Sequence, residues 1–180
     1  MHLVERLHHG VLLAAIDGVG HGGEAILAAQ TAAGVLKEHK QESVISLVRR
    51  CHEKLTKTRG VVMTLASLHA LEGTLTWLGV GNVEGRLLRG EPGTGHPKEN
   101  VLLRSGLVGY QLPVLQASVV PLSAGDVVIF ATDGIRPGFA EEINLKESPK
   151  HIAENILNRY FNGTDDALVL VTRYLGMAHE

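Results

Sequence analysis

VLLAAIDGVGHGG, residues 11–23, decides the fold. Its apolar opening, Val11 to Ile16, follows the short turn His8-His9-Gly10 and reads as the second strand of a hairpin begun by the imperfect alternation of His2 to Leu7. That strand delivers Asp17 into a glycine-rich turn. Two further acidic positions repeat the placement: Asp133 follows VVIFAT, and Asp165 with Asp166 precedes ALVLV. Carboxylates at the buried ends of strands repel one another and lose hydration, so they persist only with a compensating cation. They are read as a shared divalent-metal site.

Working outward, Glu24 to His39 is rich in Ala, Leu and Glu. Ser43 to Lys57 then carries Val44, Leu47, Val48, Cys51 and Leu55 at helical spacing. The spacing predicts two helices joined by a polar connection. Beyond Arg59-Gly60 the texture turns to β-branched alternation in VVMTLASLHA, TLTWLGV, VEGRLLR and VLLR, read as a meander of antiparallel strands. QASVVPL and DVVIFAT, joined by SAGD, read as a further strand pair; a helix from Pro149 to Tyr160 and a last strand from Ala167 to Thr172 complete the chain. The order describes an α+β chain with stacked sheets and helices outside.

The chain has 180 residues, 44% of them apolar, enough for one substantial core, so a single domain over residues 1–180 is expected. Net charge is −2, and the basic residues are interleaved with acids, as in KEHKQE, which argues against nucleic-acid binding. The single Cys51 rules out an internal disulfide, and the sequence has no long apolar span or leader. A reduced, cytoplasmic protein with neither membrane nor disulfide partner is the expectation.

Gly18, Gly20 and Gly23 also satisfy G-x-G-x-x-G between a strand and a helix, so a dinucleotide site is an alternative. It requires a parallel strand after the helix, with an acid at its end, and here one predicted helix runs into another. A plain glycine turn is the other alternative, since Asp-Gly pairs are commonly tight turns. The recurrence of acids beside runs apolar enough for a sheet interior favours metal. Other hydrolytic chemistries lack their motifs: Cys51 sits in a helical pattern with Lys57, not arginine, six residues on, and there is no G-x-S-x-G elbow or Walker loop.

DGVGHG, GVGN (79–82), ATDGI (131–135) and DDALVLV (165–171), in this order and separated by two helices and then strands, resemble the metal-dependent serine/threonine phosphatases, the protein phosphatase 2C-like (PPM) family. RGVVMTL, WLGVGNVEGRLL and GLVGY are similar to its small bacterial stress-signalling branch. The resemblance covers essentially the whole chain. It implies an αββα sandwich of two antiparallel sheets flanked by helices, with two Mn2+ or Mg2+ ions at one end. Carried over position by position, it implies that Asp17 bridges both ions, the Gly18 carbonyl binds one, Asp133 and Asp165 hold the other, and Asp166 supports them. Hydrolysis by a water activated between the ions is the implied chemistry, with His21 a candidate acid for the leaving oxygen. The implied substrates are phosphorylated stressosome-type STAS-domain proteins.

Two features depart from that family. The acid expected one strand before Asp17 has no counterpart, because Met1 stands there and Glu5 lies mid-strand. Neither the phosphate-gripping arginine nor the inserted flap of larger relatives is visible. A catalytically silent phosphoprotein-binding or scaffold protein of the same fold is therefore the second reading. The loops Arg89–Glu99 and Ser105–Pro113, with Arg104, Tyr110 and Gln111, are candidate docking edges.

Overall fold

The computed structural model describes residues 1–90, 98–163 and 166–176. In chain order these form β1 (His2–Leu7), β2 (Gly10–Gly18), α1 (Gly23–Glu38), α2 (Val44–Leu55), β3 (Val61–His69), β4 (Thr74–Val80), β5 (Glu84–Leu88), β6 (Glu99–Asn100), β7 (Leu103–Arg104), β8 (Ser118–Pro121), β9 (Val127–Ala131), α3 (Pro149–Tyr160) and β10 (Val169–Arg173). One sheet runs β1-β2-β3-β4-β7 with β8 also on β4; the other runs β10-β9-β5-β6.

Three apolar layers hold four structural layers together. Leu12, Ala14 and Ile16 of β2 face α1 and α2, whereas Leu13 and Ala15, one residue out of phase, face the second sheet with Trp77, Leu87, Val128 and Phe130. The far face of the second sheet, through Val127, Ile129 and Ala131, packs on Ile152 and Ile156 of α3. This is the expected αββα sandwich. Buried Ala25, Ala28, Ala29 and Ala32 form the inner face of α1. Ser43 and Ser148 start α2 and α3 by accepting the backbone N–H three residues on, at 3.2 Å each.

The pairing differs from the expected meander. After β4 the chain leaves the first sheet, because β5 pairs with β9 and β6 instead. β7 returns to β4 in parallel for only two residue pairs. Nor do the strands flanking Ser123–Asp126 form a hairpin. β8 lies on β4 in the first sheet and β9 between β5 and β10 in the second. Burial explains the split: β9 is buried at every position and needs neighbours on both sides, whereas β8 leaves Val119 and Pro121 exposed at a sheet edge. β2 and β3 pair antiparallel, so the glycine turn does not open the β-α-β unit that a dinucleotide site requires.

Candidate active site

Alternation along two strands aims the candidate groups at one place. Asp17 keeps the parity of Leu13 and Ala15, and Thr132 keeps that of Val128 and Phe130, so both continue the inter-sheet faces past the end of the apolar core. They meet in a cleft of about 320 Å³ lined by Asp17, Gly18, Gly20 and His21 from one sheet and by Thr132 and Asp166 from the other. Met1, Ile26 and Leu168 contribute apolar walls.

Close backbone packing positions both Asp-Gly pairs. A Cβ on Gly18 would lie 2.1 Å from the Ala25 carbonyl oxygen, so only glycine lets the first turn of α1 close over the end of β2. A Cβ on Gly134 would lie 2.5 Å from the Asp166 carbonyl oxygen, and the Ala167 backbone is beside it. The Asp133-Gly134 turn therefore packs directly on the Asp166-Ala167 segment. Thr132 secures that junction: its N–H donates to Leu168 O at 3.1 Å, and its Oγ1 accepts from Leu168 N at 2.9 Å.

The structure brings together Asp17, Gly18, His21 and Asp166. Asp133 is exposed and does not line the cleft; its Oδ2 accepts from Asn82 Nδ2 at 2.7 Å, and Asn162 Nδ2 donates to its carbonyl at 3.0 Å. Asp165 lies outside the described residues. Burial lowers the pKa of the Met1 α-ammonium, while the charges of Asp17 and Asp166 act to raise it, so both carboxylates bear on one point of the cleft. That ammonium donates to Ile16 O at 2.7 Å. Glu5 is engaged elsewhere, with Lys40 at 2.7 Å.

Thr132, Asn82 and Asn162 were not singled out from the sequence. Continuing the alternation of β9 by one residue points to Thr132. GVGN marked the region of Asn82, but its contact crosses 51 residues and leaves no local pattern.

Apart from His21 and the Met1 α-ammonium, the polar groups at the cleft are oxygen donors: two carboxylates, a hydroxyl and backbone carbonyls. That set suits a hard cation such as Mg2+ or Mn2+ rather than a soft one. Among the described residues, no three His, Cys, Asp or Glu side chains gather closely enough to hold an ion.

Residues 8–175 match the family profile of Stage II sporulation protein E (SpoIIE). The chain belongs to the SpoIIE family. The protein phosphatase 2C-like character expected from the motifs is thus borne out. No curated protein matches the chain. A structure solved in work on the bacterial stressosome, a modular system adapted to control secondary messenger signalling, is 27% identical with a TM-score of 0.86, over 96% of this chain and 90% of that one. RsbX in complex with magnesium is 20% identical with a TM-score of 0.82, over 95% and 84% of the two chains. The serine/threonine phosphatase PstP/Ppp of Mycobacterium tuberculosis is 20% identical with a TM-score of 0.68, over 96% and 91%. These likenesses place the SpoIIE-family chain in the phosphatase 2C-like fold. Among the described residues, no helix is long and apolar enough to cross a membrane.

Proposed function

We propose that this SpoIIE-family chain, with residues 1–180 acting as one domain, is a metal-dependent phosphoserine and phosphothreonine protein phosphatase. The observation that carries the reading is the convergence of Asp17 and Asp166, from opposite sheets, on one cleft. Asp17, the Gly18 carbonyl, Asp133 and Asp165 would hold two Mn2+ or Mg2+ ions, with Asp166 in support. Such ions, when bound, polarise water and offset the charge on phosphoryl oxygens.

The chain's own groups supply the rest. A water oxygen bonds to phosphorus as the bond from phosphorus to the seryl or threonyl oxygen breaks, and the departing oxygen takes up a proton. His21, exposed at the cleft, offers an imidazole nitrogen to deliver it. Asn82 and Asn162 hold the Asp133 turn in place. Ile26 and Leu168 restrict water on the flanks of the cleft. Phosphorylated STAS-domain proteins of the stressosome are the proposed substrates, a reading supported by the likeness to a structure from stressosome work.

The test is turnover of a phosphoserine peptide and of p-nitrophenyl phosphate with Mn2+. Hydrolysis abolished by EDTA and restored by Mn2+ is expected. Phosphopeptide binding without turnover would instead support a silent scaffold of the same fold.

A further inference from the structure

Among the described residues no Lys or Arg lines the Asp17 cleft, and the Met1 α-ammonium there is engaged by Ile16 O, so a dianionic phosphate group would meet two carboxylates with no basic side chain lining the cleft. A cation stands just behind the glycine turn. Val19 N donates to Gly60 O at 3.2 Å, tying the start of β3 to that turn. This brings Arg59 against it, so that a Cβ on Gly20 would lie 2.9 Å from Arg59 Nη1. Gly20 itself lines the cleft. Arg59 thus sits across a single glycine from the site, in an adjoining depression of about 290 Å³ shared with Glu24, Leu27, Lys57 and Thr58.

We propose that Arg59 binds the phosphate group of the substrate, and that Glu24 holds its guanidinium in reserve until substrate arrives; this rests on the phosphatase reading. Arg59 Nε donates to Glu24 Oε2, and both side chains are at least half exposed, at 51% and 71%. An exposed pair of this kind contributes little to stability, so exchanging the Glu24 carboxylate for phosphate costs the fold little. A guanidinium presents parallel N–H donors in a planar fork that matches two phosphoryl oxygens, and phosphate carries more charge than the carboxylate it displaces. Glycine at position 20 leaves the path from Arg59 to the cleft without a side chain. Lys57, in the same depression, adds positive charge on the approach.

The experiment compares wild type, Arg59→Ala, Arg59→Lys and Glu24→Gln by steady-state kinetics with p-nitrophenyl phosphate and by inhibition with inorganic phosphate. Arg59→Ala should raise KM and the inhibition constant for phosphate by about tenfold or more, with a smaller change in kcat. Arg59→Lys should recover only part of that loss, and Glu24→Gln should tighten phosphate binding. A KM and a phosphate affinity unchanged in Arg59→Ala, or weakened phosphate binding in Glu24→Gln, would overturn the proposal.

A second readout is the NMR resonance of Arg59 Nε–H during titration of the Mg2+-loaded wild type with inorganic phosphate. A shift supports the assignment even in a protein that turns nothing over, and no shift refutes it even in an active one. Failure of the proposed function and failure of this inference are therefore read separately.

Discussion

Strand β9 carries an aspartate at each end, and the two are treated oppositely. Asp126, just before the strand, is fully buried and internally satisfied: Arg89 Nη1 donates to Oδ2 at 2.8 Å, Gly90 N to Oδ1 at 2.9 Å and Ser123 N to Oδ2 at 2.9 Å. Asp133, just past the other end, is exposed, and its carboxylate accepts from the neutral amide of Asn82. Asp17 and Asp166 open onto the same end of the sandwich. One end of the strand uses an acid with its own arginine to lock a loop; the other collects acids with no cationic side chain lining their cleft among the described residues. The difference separates a carboxylate that serves the fold from those to which the proposed function assigns a cation.

Breaking the locked end should have the largest effect. Asp126→Ala takes from Arg89, whose side chain is only 7% exposed, its nearest and fully buried carboxylate, and takes from Gly90 N and Ser123 N their acceptor. A loss of about 3–5 kcal/mol in denaturant unfolding is expected. A loss within the range of an ordinary surface substitution would show that Asp126 is not the anchor described. At the open end, Asp17→Asn should lower kcat/KM at least about a hundredfold, because under the proposed function it removes a cation ligand rather than core packing. Smaller again, Asn82→Ala should reduce kcat/KM by roughly threefold to tenfold by freeing the Asp133 carboxylate, the scale of one hydrogen bond. Thermal melts of Asn82→Ala distinguish that outcome from general destabilisation.

The smallest effect at neutral pH belongs to a buried group remote from both ends. Burial pushes the Cys51 thiol up from its ordinary 9.0 to about 12. It should resist alkylation in the native protein at neutral pH. Above pH 9 the unfolded chain releases this proton while the folded chain keeps it, so the Cys51 contribution to stability falls as pH climbs toward 12. Pulse alkylation and pH-dependent denaturation of wild type against Cys51→Ala check both statements.

Local pattern explains how much of this could be read in advance. Helix α2 was legible because Val44, Leu47, Val48, Cys51 and Leu55 repeat at helical spacing, and α1 because its stretch is rich in Ala, Leu and Glu. Strand β2 and the acids at strand ends were legible for the same local reason. β6 and β7, two residues each, are defined by partners rather than by their own alternation; β7 was read as part of the longer strand VLLR, and β6 was not read as a strand. The separation of β8 from β9 depends on which sheet buries each strand, which SAGD does not encode. Arg89, read as part of a docking loop, is instead locked to Asp126 across 37 residues. Among the other docking candidates, Tyr110 is 81% exposed, as a surface loop residue should be.

The contrast between the two ends of β9 is tested most directly by Mn2+ titration followed by electron paramagnetic resonance. Wild type should remove the free-ion signal with saturable stoichiometry, and Asp17→Asn, folded to the same extent, should leave most of it. Equal Mn2+ binding by the two proteins, or none by wild type, would contradict the assignment of the Asp17 cleft as a cation site.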